Sequence, residues 1–164
     1  AAYHQYDFDW LQRYQVLKQA DLVLLMVLKP DCFTDREQKA IWDFYEPLTL
    51  HDSSLSFGIH AWAAAKLGLE QKAYEYFDKS LFLDLENRMK NTGREGIHLA
   101  AAGATWQAVV FGFAGLALGT GGRPQLSPRL PKDWERLSFH FYIKGKRYLA
   151  VIDEKGGKIE AEEE

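Results

Sequence analysis

The sequence predicts a mainly α fold in which buried and amphipathic helices alternate over residues 1–122, followed from residue 123 by a small β region. Three observations carry this. Apolar residues recur at helical spacing through five segments. Alternate segments are apolar on nearly every side, whereas those between them carry one charged face. Beyond residue 136 the period changes from helical to strictly alternating. With 47% hydrophobic and 14% aromatic residues, the 164-residue chain has the apolar content to pack a core rather than remain disordered.

The first predicted helix covers residues 16–28, is apolar almost all round, and stops at Lys29-Pro30. The second runs from Thr34 to Tyr45: Thr34 and Glu37 form a capping box, Asp35, Arg36, Gln38 and Lys39 make an outward face, and Pro47 follows. Ser53 or Ser54 can cap a third helix over residues 55–67, with Ile59, Ala63, Ala64 and Leu67 inward and Gly68 at its exit. In the fourth, residues 70–87, the apolar positions are Ala73, Tyr74, Phe77, Leu81 and Leu85. The turn-rich run Asn91-Thr92-Gly93-Arg94-Glu95-Gly96 leads into a fifth, uncharged helix over residues 97–118 that ends at Gly119-Thr120-Gly121-Gly122.

This order reads inner, outer, inner, outer, inner. Short connections make successive helices antiparallel, so the three inner helices point one way and begin at one end. Such alternation suits a toroid of helical hairpins, and five helices do not close one. After residue 136, Leu137, Phe139, Phe141 and Ile143 alternate with polar residues, and Lys144-Gly145-Lys146 separates them from a second strand through Ile152. This predicts a β-hairpin opening a separate sheet domain at 123–164.

Several function classes are excluded. The net charge is −3 without a dense basic stripe, so counterion release has little to act on and nucleic acid is not an expected partner. The uncharged run 97–118 is long enough to span a bilayer. It contains His98, Thr105 and Gln107, is rich in Ala and Gly, and lacks aromatic belts on both sides, so it reads as a helix buried on all sides and no membrane partner is expected. Cys32 is the single cysteine, which excludes an internal disulfide and suits a reducing cytoplasm. His51 and His60 lack a third ligand at a recognisable spacing, so no metal is expected. The ends, Ala1-Ala2-Tyr3 without Met and a terminal Glu-rich run, read as cut rather than natural.

Helix N-termini carry unpaired N–H groups and the positive end of the dipole, which together favour anions. Ser53, Ser54 and Ser56 stand at one predicted inner-helix start, and Gly96 with His98 at another: Gly admits close backbone approach, and His donates from a ring nitrogen. Taken one at a time, a cap serine and a core histidine account for these residues. Lys18 and Gln19 head the first inner helix; the pair suits adjacent sugar hydroxyls, while a surface-reaching lysine beside an ordinary glutamine is the open alternative. Glu46, Asp52 and Glu95 are candidate acids without a decisive signature. A triad of Ser54, His98 and Asp52 lacks the nucleophile elbow.

Six motifs in order, Lys18-Gln19-Ala20-Asp21, Tyr45-Glu46-Pro47, His51-Asp52-Ser53-Ser54-Leu55-Ser56, Gly96-Ile97-His98-Leu99-Ala100, Thr105-Trp106 and Leu126-Ser127-Pro128-Arg129-Leu130-Pro131, resemble family 65 of glycoside hydrolases and phosphorylases. The resemblance covers residues 14–152. It implies the C-terminal part of an (α/α)6 catalytic barrel followed by the first strands of a small β-sandwich domain. It also implies inverting phosphorolysis of an α-glucosyl disaccharide to β-glucose 1-phosphate and a free sugar. Lys18 and Gln19 would hold the glucose, and Ser53, Ser54, Gly96 and His98 the phosphate, which is co-substrate rather than cofactor. The general acid of the family lies upstream of the Lys-Gln pair, so no catalytic residue is expected in this chain, which alone would be inactive and would need the rest of the catalytic domain or an oligomer to cover its inner helices. A trehalase-like hydrolase of the same family and a non-catalytic helical scaffold are the competing expectations.

Overall fold

In the computed structural model, which describes residues 5–162, helices fill the chain as far as residue 113 and antiparallel strands follow. A one-turn helix α1 (Phe8–Leu11) precedes α2 (Leu22–Leu28), α3 (Asp35–Tyr45), α4 (Ser56–Lys66), α5 (Glu70–Leu81), the short α6 (Thr92–Glu95) and α7 (Leu99–Gln107), which widens into a π-helical turn, Ala108–Phe113.

The capping box of α3 forms as its residues require. The Thr34 N–H donates to Glu37 Oε2 at 2.8 Å, and the Glu37 N–H returns to Thr34 Oγ1 at 3.3 Å. Helix α2 is shorter than its apolar run. Residues 16–20 form a bridge and a bend instead: Leu17 makes a parallel bridge with Thr49, its N–H donating to Leu48 O at 2.9 Å and its carbonyl accepting from Leu50 N at 2.8 Å. Non-local pairing satisfies this backbone, and no capping residue ahead of Val16 competes with it. Helix α5 stops at Leu81 rather than continuing through residue 87. Leu85 is 79% exposed, so the last predicted turn has no core to face, and the chain enters turns with Asn87 at φ 48°.

The inner helices are parallel. A Cβ placed on Gly58 of α4 would lie 2.7 Å from the Ala104 Cβ of α7, and one on Gly112 would lie 3.2 Å from Trp62 Cα and 3.3 Å from Ala65 Cβ. Positions later in one helix therefore meet positions later in the other. The Leu17–Thr49 bridge, itself parallel, aligns the segments that enter α2 and α4. All three N-termini consequently share one end, as the alternation predicts. Helix α4 is the most enclosed, with Ser56 and every residue from Gly58 to Ala65 buried.

Helix α7 departs from the expectation of burial on every side. Leu99 is 78% and Trp106 53% exposed, because α4 and α5 pack against one side of it and no described residue covers the other. No helix among the described residues is long and apolar enough to cross a membrane.

Past Gly115, strands β1 (Ala117–Leu118) and β2 (Pro124–Gln125) form a two-residue ladder. Strands β3 (Leu137–Ile143), β4 (Lys146–Asp153) and β5 (Gly156–Ala161) form a three-stranded antiparallel sheet in that order. The β3–β4 turn places Lys144 and Gly145 at φ 49° and 79°, the pair of positive values that a tight two-residue hairpin needs. Strand β5 is unpredicted: Gly156-Gly157-Lys158 carries no apolar alternation, and only Ile159 and Glu162 in this stretch are partly covered. Between the two parts, the Arg129 guanidinium donates to the carbonyls of Ala65, at 3.0 Å, and Lys66, at the end of α4. Trp134 packs edge-on against Phe77 and Phe113, with ring centres 5.5 and 5.4 Å apart.

Candidate functional site

Two of the three sequence motifs meet directly. The carbonyl of Lys18 accepts the Asp52 N–H at 3.1 Å, continuing the ladder begun at Leu17. Lys18 is exposed, Gln19 half-buried and Asp52 buried. Lys18 and Gln19 thus lie in a bend ahead of α2, not on its first turn, next to the bridge that ties Leu17 to residues 48–50.

Ser53 and Ser54 are half-buried at the entry to α4, and neither caps it as expected. Leu55 occupies the N-cap position and makes no side-chain bond, while Ser53 Oγ accepts the Leu55 N–H at 3.4 Å and its carbonyl accepts Ser56 N at 3.1 Å. These bonds turn the backbone locally and leave the helix start to its own first turn.

The buried serine of the motif is Ser56, at the centre of a polar chain crossing three elements. Glu46 Oε1 accepts from Tyr76 Oη at 2.7 Å and from Lys72 Nζ at 3.0 Å. Tyr76 Oη lies 3.2 Å from His51 Nε2, His51 Nδ1 lies 2.8 Å from Ser56 Oγ, and His60 Nδ1 lies 2.9 Å from the Ser56 carbonyl. Only one proton arrangement for neutral rings satisfies this chain. Tyr76 spends its proton on the Glu46 carboxylate, so His51 Nε2–H donates to the tyrosine oxygen and Ser56 O–H donates to His51 Nδ1. His60 Nδ1–H must donate to the carbonyl, which leaves its buried Nε2 as an acceptor with no partner among the described residues.

The electrostatics agree. Burial, with the nearby positive charge of His60 if protonated and of Lys79, pushes His51 down from 6.5 to about 4. Burial also lowers His60. Burial and the Glu46 carboxylate raise Tyr76. Burial works to raise Glu46, but the bonds from Tyr76 and Lys72 outweigh it and hold the carboxyl below its ordinary value. Glu46 is therefore an ionised structural anchor. His51 itself sits at φ 54°, an unusual value for a residue other than glycine.

At the third motif, Gly96 adopts φ 85° and ψ −171°, a conformation that essentially only glycine tolerates. His98 is held by a residue the sequence analysis did not single out. Asp84 accepts from His98 Nδ1 at 2.6 Å, from the His98 N–H at 2.8 Å and from Thr92 Oγ1 at 3.0 Å. Partial burial works to raise the Asp84 carboxyl, and these bonds, led by that from the imidazole, outweigh it and keep the group below its ordinary value. The N-terminus of α7 is thus already met by an anion within the chain.

An open cleft of about 1540 Å³ separates the second and third motifs. Leu50, His51, Asp52 and Phe57 line it together with Lys79 of α5 and Arg88, Lys90, Arg94 and Glu95. Asp52 adjoins Ser53, and Glu95 adjoins Gly96, so the cleft runs along the predicted anion-binding segments. None of Lys18, Gln19, Ser53, Ser54, Gly96 and His98 is among its lining residues. Arg88 is paired with Glu86 and Asp78, and Arg94 with Glu95, so their charge is partly neutralised within the chain.

Parallel inner helices with clustered starts, outer helices between them in sequence and a sheet beyond define a mainly α scaffold of helical hairpins followed by a β region. Residues 2–107 match the glycosyl hydrolase family 65 central catalytic domain, and residues 119–164 match the C-terminal domain of that family. The chain belongs to glycosyl hydrolase family 65. It is 42% identical over 149 residues to the α,α-trehalose phosphorylase of Geobacillus stearothermophilus, covering 91% of this chain and 19% of that protein. It is 37% identical over 153 residues to the maltose phosphorylase of Bacillus subtilis strain 168, covering 93% and 20%. A solved structure from the human microbiome, provisionally named a kojibiose phosphorylase, superposes with a TM-score of 0.88 at 33% identity over 98% of this chain and 24% of that one. The chain therefore spans about one fifth of the length of the curated relatives it matches.

Proposed function

We propose that this chain is part of an inverting disaccharide phosphorylase. A phosphate oxygen attacks the anomeric carbon of an α-glucosyl disaccharide, the glycosidic C–O bond breaks, and a general acid protonates the departing sugar oxygen, giving β-glucose 1-phosphate and a free sugar. Phosphate replaces the activated water of an inverting hydrolase, so one acid suffices and no carboxylate base is required. The observation that carries this reading is the similarity over about nine tenths of the chain to enzymes named as phosphorylases of trehalose and maltose.

In this proposal Lys18 and Gln19 hold the glucosyl unit, and Ser53, Ser54, Gly96 and His98 hold phosphate. The Lys18–Asp52 backbone bond supports grouping the first two sets at one rim. The acid comes from outside the chain, which acts as residues 1–122 of an (α/α)6 barrel joined at residue 123 to a β-sandwich domain and is inactive alone. The exposed Leu25, Leu28, Leu99 and Trp106 then face the remaining barrel helices. Inorganic phosphate is the co-substrate, with no further cofactor, and the enzyme works in the cytoplasm, where phosphate is abundant.

The test is glucose 1-phosphate formation by the intact protein from maltose, trehalose and kojibiose, with and without phosphate, in the native protein and in Lys18→Ala and His98→Ala variants. Product that requires phosphate and falls at least about tenfold in the variants is expected, the loss of one charged hydrogen bond. Glucose release without phosphate would replace this reading by hydrolysis, and no turnover of any sugar by a scaffold role.

A further inference from the structure

Resting on the phosphorylase reading, we propose that Asp84 is the positioning residue of the phosphate site, acting through His98. It carries no motif, lies in the turns after α5, and belongs to neither of the segments assigned to phosphate. Its carboxylate nevertheless fixes two groups at the start of α7, the imidazole Nδ1 at 2.6 Å and the backbone N–H of the same histidine at 2.8 Å, and one at the start of α6, the Thr92 hydroxyl at 3.0 Å.

The consequences follow from the chemistry of the imidazole ring. With both carboxylate oxygens used as acceptors, Nδ1 must carry a proton, which settles the tautomer and leaves Nε2 as the atom with which His98 meets a ligand. With its proton on Nδ1, the neutral ring presents Nε2 as an acceptor for the hydroxyl of hydrogen phosphate, and the carboxylate behind it fixes the direction of that contact. The second bond, from the His98 N–H, ties the ring's orientation to the backbone of the Gly96–His98 turn. Gly96, at φ 85°, has, beyond its chain neighbours, no described heavy atom within 4 Å of where a Cβ would lie. That turn owes its shape to glycine and to Asp84 rather than to packing. His98 side-chain exposure is 16% and that of Asp84 is 20%, so the pair is sheltered without being sealed from a ligand.

The same carboxylate places a negative charge beside a helix start that would otherwise attract phosphate unaided. The dipole of α7 is therefore spent internally, and attraction for phosphate at this motif runs through the histidine. Asp84→Asn frees that dipole and relieves repulsion, so a weaker phosphate site in this variant, with the sugar spared, reports the loss of histidine positioning rather than of charge.

The experiment measures KM for phosphate and for disaccharide separately, in the intact protein and its Asp84→Asn, Asp84→Glu, His98→Ala and Asp84→Asn/His98→Ala variants. Asp84→Asn is expected to raise the phosphate KM by about tenfold while the sugar KM stays within about twofold, as for loss of one charged hydrogen bond. Asp84→Glu should recover part of the loss, and Asp84→Asn should add nothing once His98 is absent. An unchanged phosphate KM, an equal rise in both constants, or full additivity with His98→Ala would overturn the role of Asp84 while leaving phosphorolysis intact. A native protein that needs no phosphate would overturn both. If Asp84→Asn does not fold, Asp84→Glu alone decides: a rise confined to the phosphate KM supports the proposal, and equal constants reject it.

Discussion

Gly58 of α4 and Ala104 of α7 approach so closely that a Cβ on the glycine would lie 2.7 Å from the alanine Cβ and 2.8 Å from its carbonyl carbon. The obstruction is partly backbone, so no side-chain rotation can relieve it. Gly58→Ala should therefore push the two inner helices apart and destabilise the protein by about 1–3 kcal/mol, the usual penalty for overpacking. Denaturant unfolding of the intact protein checks this, and a stability within about 0.5 kcal/mol of the native protein would show that the helices yield freely.

Protonation of buried imidazoles should make this region acid-sensitive. His51 falls from 6.5 to about 4 on folding, chiefly through burial, and His60 is lowered for the same reason. The unfolded chain therefore binds protons first. Stability is fully present above pH 6.5 and declines as the pH falls towards 4. Melting temperatures recorded from pH 7 to 4.5 should drop, and His51→Gln should flatten the fall. Identical slopes in the two proteins would remove His51 from the account.

Tyr76 holds Glu46 and His51 together through one hydroxyl, at 2.7 and 3.2 Å. Tyr76→Phe keeps the ring, which packs against Trp42 and Phe57, and deletes only that bridge. A loss of about 1–3 kcal/mol is expected, since His51 keeps a buried donor without its acceptor. Equilibrium unfolding of the single variant measures it, and Glu46→Gln in the same background should cost less than it does alone.

Gly96→Ala separates backbone conformation from packing. Beyond its chain neighbours, no described atom lies within 4 Å of the new methyl group, so the effect arises from φ 85° and ψ −171°. The strain is about 1–3 kcal/mol. Stability should fall, and hydrogen exchange at Gly96 to His98 should quicken while α4 keeps its protection.

Local chemistry made α3 and the β3–β4 hairpin legible in the sequence: Thr34 and Glu37 are three residues apart, and Lys144-Gly145 is itself the turn. Parallel inner helices also followed from short connections. The beginning of α2 did not, because Val16, Leu17 and Ala20 continue the apolar run of the helix after them, while the course of this segment is set by a partner more than thirty positions away, at residues 48–50. The same limit hid the chain from Glu46 to His60, whose Tyr76–Glu46 link spans 30 residues. Asp84 stands 14 residues before His98 in a segment that reads as the tail of a helix. It became visible once α5 ended at Leu81.

Arg129 and Trp134 have a mechanical meaning. The guanidinium grips the carbonyls that end α4, and the indole packs against the touching rings of Phe77 and Phe113, so residues 123–136 are a strap rather than a free linker. A nick in the exposed Gly121-Gly122 turn would leave two pieces that stay clasped. Any force that swings the sheet is delivered first to the far end of the helix whose opposite end carries Ser53 and Ser54.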